Sequence, residues 1–449
     1  MWLRDFFCRL NQASSLSIYN FTTKSAHMLE ITRIREEKEQ IIEGLKTRNL
    51  DVKEKIETIL NIDAAWREGK KELDENAAEA NRIAKEIGIL FKEGKQDEAS
   101  AAKAKANDLK EREKELKEKV NQLADDLQNK LYELPNVPNT IVPKGKSAED
   151  NLEVHAAGTI PTLHKGAVPH WDLAKKYNLI DFELGVKVTG AGFPFYTGKG
   201  ARLQRALINF FLDEARDAGY QEIIPPFVVN EASGYGTGQL PDKEGQMYHA
   251  QVDDFYLIPT AEVPLTNMYR DVLLNEKDFP IKITGYTPCF RREAGSYGKD
   301  VRGLNRLHQF DKVEIVHIEH PDKSYATLDT MVQYVQGLLE KLELPYRTLR
   351  LCGGDMGFTS ALTYDLEVFS AAQEKWLEVS SVSNFETFQA NRLKLRYRDA
   401  SGKNKLAHTL NGSALALPRI LAALLENNQD ETGIKIPKVL VPYTGFDRI

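Results

Sequence analysis

The sequence predicts an α+β protein: an N-terminal antiparallel coiled-coil helical hairpin, then a domain built on an antiparallel β-sheet flanked by helices. Three observations predict it. A proline-free stretch from Ile62 to Leu134 carries apolar residues at heptad spacing on either side of a polar break, KEGKQDE. The prolines of LPNVPN and Pro143 stop that pattern, because proline lacks a helix donor and clashes with the preceding turn. Beyond them, short β-like runs (EIIPPFVV, KITGYTPCF, KVEIVHI, KWLEVSSVS) alternate with helical runs, and hairpins outnumber strand-helix-strand units.

In the first arm of the hairpin, Trp66, Leu73, Ala80 and Ile87 form one apolar row, with Ala77, Ala84 and Phe91 as its partner row. In the second, Ala102, Leu109, Leu116 and Leu123 align beside Ala106, Val120, Leu127 and Leu134. Matched seams around a Gly-containing break favour two arms that pair with each other over a dimerising rod. At about 1.5 Å per residue, each arm is expected to run roughly 45 to 50 Å. The arm charges nearly cancel, with a basic excess between Lys103 and Lys119, so an RNA contact here would rest on shape and placed cations.

Composition narrows the function classes. The 449 residues are 42% hydrophobic and 28% charged with a net charge of -6, which argues against a protein that coats nucleic acid through bulk charge. No apolar run of about 18 residues exists to cross a membrane. The cysteines, Cys8, Cys289 and Cys352, are odd in number and far apart, which fits a reducing compartment and leaves no disulfide framework or cysteine-type zinc site. Residues 1–27 read as an extension: an upstream start, a segment without structure, or a targeting peptide poor in acids. GAGFPFYTG lacks the spacing of a dinucleotide fingerprint, and no Gly-Lys-Ser/Thr phosphate loop occurs.

Chemistry concentrates in CFRREAGSYGKDVRGLNRLHQFDKVE, residues 289–314, where six Arg and Lys and three Gly separate two strand-like ends. Alternation puts Cys289, Arg291 and Glu293 on one face and Phe310, Lys312 and Glu314 on the matching face of the return strand. An arginine, carboxylates and a ring match the parts of a nucleotide. IPTAEVPLTN would place Thr260 and Glu262 on one strand face. EVSSVSN offers Glu378, Ser380 and Ser381, oxygen ligands suited to Mg²⁺ bridging phosphates. TLNGSALALPRILAALLEN reads as a strand, then Pro418 at the helix start, then Arg419 in the first turn, an anion site. Singly, each piece also reads as an ordinary structural feature: a solvated basic turn, an ion pair, a satisfied serine.

Together, GYQEIIPP, PTAE, CFRREAGS…HQFDKVE, YDLE, WLEVSSVSNFETFQANR and NGSALALPR resemble the motifs of bacterial-type seryl-tRNA synthetases, a class II aminoacyl-tRNA synthetase family. The resemblance runs from Met28 to the C-terminal YTGFDRI. It departs at CGGDMGF, at FQANR where an Arg-Arg pair is expected, and at Val382 where cysteine is common.

The resemblance implies a tRNA-binding domain over 28–134, a linker over 135–165 and a class II catalytic domain over 166–449, with its motifs near 218–230, 289–314 and 409–427. It implies ATP-dependent joining of serine to tRNA(Ser) through seryl-adenylate, and to tRNA(Sec) where that tRNA exists. It further implies a cytoplasmic homodimer formed through the first motif at Pro226, no structural zinc, and tRNA bound by the hairpin. Arg291 and Arg419 would be catalytic. Thr260, Ala261, Glu262, Arg291, Glu314 and Ser413 would bind serine. Arg291, Arg292, Glu293, Leu307, Phe310, Glu378, Val379, Ser380, Ser381 and Arg419 would bind ATP, with Glu378 and Ser381 contacting Mg²⁺. Lys299 and Arg302 would be free to approach the tRNA acceptor end. A relative that charges another acceptor, and a catalytically dead RNA-binding scaffold, are the competing readings.

Overall fold

The computed structural model describes residues 31–242, 245–293 and 302–449. The expectations on residues 1–27 and on Lys299 fall outside them. No helix among the described residues is long and apolar enough to cross a membrane.

The hairpin is formed by α1 (Lys53–Lys92) and α2 (Gln96–Tyr132), which turn at Glu93–Lys95 with Gly94 at φ 77°, a backbone region open to glycine. Forty and 37 residues give arms of about 60 and 55 Å, longer than expected. The first arm starts at Lys53 and not near Ile62, because Asp51 accepts from the Lys53 amide at 3.2 Å and Ile56 and Ile59 already pack into the cluster at the arm base. The row Trp66, Leu73, Ala80, Ile87 lies on the seam, but its partner row differs from the expected one. Gly69, Asn76 and Ile83 are buried there, whereas Ala84 and Phe91 are exposed. Two of those three are not apolar. Gly69 lets Val120 approach, since a β-carbon would lie 3.2 Å from its methyl, and Asn76 donates to the Leu109 carbonyl at 2.9 Å. Between the arms, Lys105 pairs with Glu79 at 3.0 Å.

The body is built on an eight-stranded sheet, with smaller two- and three-stranded sheets beside it. The strands of the large sheet are β1 (Leu152–Ala157), β2 (Gln221–Glu222), β3 (Ile281–Phe290), β4 (Gln309–Glu319), β5 (Tyr346–Arg350), β6 (Leu362–Ser370), β7 (Lys375–Asn384) and β8 (His408–Ala416). Their order is β1-β5-β6-β7-β8-β4-β3-β2, antiparallel throughout except for the β2–β3 pair. The segment expected as a linker therefore supplies an edge strand: β1 pairs with β5 from Leu152↔Arg350 to Ala157↔Tyr346.

Strand alternation divides the sheet into two chemistries. Val313 and Ile315, Leu366 and Val368, and Leu410 and Ala414 face a core shared with α3 (Gly198–Asp217), α4 (Ser324–Lys341) and α5 (Leu417–Asn427). The residues between them (Lys312, Glu314, Asp365, Asn411, Ser413) occupy the opposite face. The helices thus back the sheet, and its polar face is left for a site.

The arm base is fixed to this body. Ile34, Ile41, Ile56, Leu127 and Leu134 pack with Phe388, which follows β7 in the body. Asn136, fully buried, donates to the carbonyls of Thr359 and Phe385 at 3.0 and 2.9 Å.

Candidate active site

The polar face is assembled by register. Across β3 and β4, Cys289 lies opposite Phe310, Thr287 opposite Lys312 and Gly285 opposite Glu314; across β4 and β8, Glu314 lies opposite Ser413. Asn411 stands opposite Ser383 on β7, and Ser381 opposite Asp365 on β6. One face thus carries, in space, Phe310, Lys312, Glu314, Ser413, Asn411, Ser381 and Asp365.

Arg291 lies just past β3, its amide donating to the His308 carbonyl at 2.9 Å, which prolongs the hairpin by one pair. Its guanidinium sits 5.2 Å from the Phe310 ring centre and its Nε donates to the Pro259 carbonyl at 3.4 Å. Glu293 departs from the expected strand alternation: at φ 48° its backbone has left the extended region, and its carboxylate pairs with Arg306. Arg292 projects over the Tyr248 ring, 5.8 Å from its centre. Arg302, expected to be free, stacks over Trp171 at 4.6 Å.

Thr260 and Glu262 are not on a strand. Residues Glu262–Asn267 form a short helix that admits Pro264 in its first turn, and Thr260 Oγ1 accepts from the Glu262 amide at 3.2 Å. That turn aims both side chains at Glu314. Thr260 Oγ1 donates to Glu314 Oε2 at 3.1 Å, Lys312 Nζ lies 2.7 Å from the same oxygen, and Asn411 Nδ2 donates to Oε1 at 3.2 Å. Ala261 and Ser413 are buried beside them. Glu262 is buried too, and burial first, then the neighbouring Glu314 charge, push its carboxyl up to about 7.

Glu378 and Ser381 are three residues apart, a spacing that puts side chains on opposite faces of a regular strand. A bulge at Val379 reverses this: Leu366 pairs with Ser380 while the next residue, Glu367, pairs with Glu378, so Glu378 and Ser381 share a face. Asp365 stands with them. One of its oxygens, Oδ1, is buried without a hydrogen-bond partner, and burial followed by the Glu378 charge holds its carboxyl well above the usual range. Crowded, undercompensated oxygens of this kind suit a hard divalent cation. Among the described residues no group of three or more His, Cys, Asp or Glu side chains is placed to hold a metal alone, so a cation here would need oxygens from a ligand. Ser380 instead donates to the Ser413 carbonyl at 2.7 Å, and Val379 is buried.

Arg419, in the first turn of α5, reaches across to the loop and the bulge: Nε donates to the Asn305 carbonyl at 3.0 Å and Nη1 to the Glu378 carbonyl at 2.8 Å. The return leg of the loop, which carries the buried Leu307, is held from below. His170 Nε2 accepts from the Leu304 amide at 2.8 Å while its Nδ1 lies 2.7 Å from Glu426, both side chains being fully buried. Sequence reasoning passed over Lys312, Asn411, Asp365 and Gln389 as site residues. Lys312 carried a signal in its spacing of two from Glu314 on the same strand, and Asp365, Gln389 and Asn411 lie within YDLE, FQANR and NGSALALPR without any spacing that singles them out.

The geometry offers a ring, two arginines, a carboxylate-lined pocket and a candidate cation site along one sheet face. Comparisons with known proteins agree in what they match. The family model "Seryl-tRNA synthetase N-terminal domain" matches residues 28–138, and "tRNA synthetase class II core domain (G, H, P, S and T)" matches residues 247–428. The serine–tRNA ligase of Salinibacter ruber is 52% identical over 424 residues, 94% of this chain and 99% of that protein. The crystal structure of seryl-tRNA synthetase from Pyrococcus horikoshii complexed with ATP is 35% identical with a TM-score of 0.87, covering 94% of this chain and 99% of that one. The cytoplasmic serine–tRNA ligase of Naegleria fowleri, in complex with AMP, is 26% identical with a TM-score of 0.82, over 94% and 98% of the two chains.

Proposed function

The chain belongs to the class II seryl-tRNA synthetase family, whose activity is the ATP-dependent attachment of serine to tRNA, and from that premise we propose which side chains do the work. The observation that carries the proposal is the single polar sheet face on which Arg291, Phe310, Glu314, Ser381 and the bulge residue Glu378 come together.

ATP lies along this face, its adenine against Phe310 and its triphosphate reaching toward Arg419. Glu293 and Leu307 border the nucleotide. Serine occupies the pocket of Thr260, Ala261, Glu262, Glu314 and Ser413. Its carboxylate attacks the α-phosphorus in line, pyrophosphate leaves, and Arg291 and Arg419 meet the charge that develops on the phosphates. A terminal ribose hydroxyl of tRNA then attacks the acyl carbonyl of the adenylate and AMP departs. Positioning and electrostatics carry both steps, and no protein nucleophile is needed. Glu378 and Ser381 would hold Mg²⁺, which supplies charge neutralisation of the phosphates when bound; the orphaned Asp365 oxygen beside them supports that fit. Arg292, Val379 and Ser380 contribute through backbone or packing, in keeping with the directions of their side chains.

The hairpin binds tRNA(Ser), and tRNA(Sec) where it exists. Two copies associate through the segment around Pro226, where Ile224 and Phe227 are 84% and 40% exposed beside a groove of about 570 Å³. Such an apolar surface calls for cover. The setting is the cytoplasm. Serine-dependent exchange of pyrophosphate into ATP tests the assignment: exchange with serine and little with threonine or alanine is expected. Equal exchange with all three, or none, would overturn it.

A further inference from the structure

Gln389 belongs to the short helix Phe388–Leu393, is 1% exposed, and touches the amino-acid pocket from behind. Its Nε2 donates to Glu262 Oε1 at 2.5 Å and to the Thr237 carbonyl at 3.3 Å, while its Oε1 accepts from Thr409 Oγ1 at 2.7 Å. The Thr237 carbonyl can only accept, which sets the orientation of the amide: the NH₂ group must face Glu262. Phe388, its neighbour, is anchored in the arm-base cluster, so the helix that carries Gln389 is itself held.

We propose that Gln389 is a positioning and specificity residue for the amino acid, fixing the Glu262 carboxylate so that its second oxygen meets the polar head of serine. The inference rests on the reading that Glu262 contacts serine. Two facts make a donor at this place consequential. Glu262 is buried, and the groups facing it are mixed: the Glu314 carboxylate repels its charge, while Lys312 and Arg291 attract it from farther away. Lys312 is already committed to Glu314 at 2.7 Å. The neutral amide of Gln389 is the donor in direct contact with Glu262, and it stabilises the ionised carboxylate without adding a charge that would compete with a substrate ammonium. It also commits Oε1 to the protein, so that only one oxygen is presented and the pocket reads one geometry. Sites that leave buried polar groups unpaired by the wrong substrate discriminate strongly.

The test is pyrophosphate exchange by the full chain across pH 6 to 9 with Gln389→Leu, Gln389→Glu and Glu262→Gln. Gln389→Leu is expected to raise the serine KM by about 10- to 100-fold, the range for a lost hydrogen bond to a charged group, with the ATP KM within about twofold. Its serine kcat/KM is expected to turn on at higher pH than in the wild type, because Glu262 loses a group that favours ionisation. Gln389→Glu, nearly isosteric and expected to fold, can donate to Glu262 only while protonated, so its serine kcat/KM should be best near pH 6 and fall as pH rises, opposite in sign to the wild type. Equal losses in serine and ATP parameters with an unmoved pH profile would mean packing alone and overturn the inference. If Glu262→Gln raises the serine KM but the Gln389 variants do not, this inference fails and the pocket assignment stands. If Glu262→Gln leaves the serine KM within about twofold, the pocket assignment fails and takes the inference with it.

Discussion

Arg48 of the N-terminal domain donates its Nε to the Asn136 carbonyl at 2.8 Å, across 88 residues of chain that include the whole hairpin. The same guanidinium reaches the carbonyls of Met356 and Gly357, each at 3.1 Å, and of Ser360 at 2.5 Å, all in the catalytic body. It is 8% exposed, and burial pushes it down to about 10. One side chain thus ties the entry to the hairpin, the exit from it and the body. Arg48→Met keeps the stem and removes the donors, leaving several carbonyls short of partners, and is expected to cost about 3 kcal/mol in urea unfolding. Because the joint orients the arm, tRNA charging should fall more than pyrophosphate exchange. Equal losses would mean that Arg48 only stabilises.

Excising residues 67–122 and closing the gap with a short glycine–serine link should leave exchange near the wild-type rate and remove tRNA charging. The bounds matter because Leu127 and Leu134 belong to the base cluster that also holds Phe388, so a cut reaching them would disturb the catalytic half. Charging at full rate in the shortened protein would show that the arm does not bind the tRNA.

Glu378→Gln keeps shape and removes a charge from the bulge. It should weaken Mn²⁺ binding in the presence of ATP about 10- to 100-fold, read by electron paramagnetic resonance, and raise the Mg²⁺ concentration needed for exchange. Unchanged Mn²⁺ binding would place the cation elsewhere.

Ile224→Arg puts a charge into the most exposed apolar position of the Pro226 segment. Sedimentation should show a shift from dimer to monomer with little change in the far-ultraviolet circular dichroism. A variant that remains dimeric would move the interface away from this segment.

What could be read from the sequence follows from which physics is local. Heptad spacing revealed the hairpin and its turn, yet the seam row Gly69, Asn76, Ile83 was missed because a glycine admitting Val120 and an asparagine bonded across to Leu109 do not look like core residues. Strand periodicity put Phe310 and Glu314 on one face, and the β3–β4 register agrees. The same periodicity would have separated Glu378 from Ser381; only the two-for-one pairing at Val379 unites them, and a bulge leaves no mark in a single sequence. Thr260 and Glu262 were expected on one strand face, but the Thr260 hydroxyl accepts from the Glu262 amide two residues on, a local turn that leads into the helix Glu262–Asn267 instead of a strand. Gln389 was invisible for a different reason. Its partners Glu262, Thr237 and Thr409 lie 127, 152 and 20 residues away, and a buried amide in FQANR gives no hint of them.

His317 supplies a last prediction, on stability. It is buried behind the site on β4, where its Nε2 shares a hydrogen bond with Tyr220 at 2.8 Å, its Nδ1 has no partner, and the Lys282 ammonium lies over the Tyr220 ring at 4.8 Å. Burial first, and the Lys282 charge second, push its folded-state value from 6.5 down to about 3. The sign follows: the unfolded chain takes up a proton near pH 6.5 that the folded chain refuses, so stability is fully present above 6.5 and falls as the pH drops from there toward 3. Between pH 7 and pH 5 this one residue should remove about 2 kcal/mol from the unfolding free energy of the catalytic domain. Replacing it with glutamine, which can still bond Tyr220 but does not titrate, should flatten that part of the acid dependence in urea titrations at the two pH values, even if the variant starts less stable at pH 7. An acid dependence of the same steepness in the variant would mean that His317 is protonated in the fold, and that Tyr220 and Lys282 accommodate the charge.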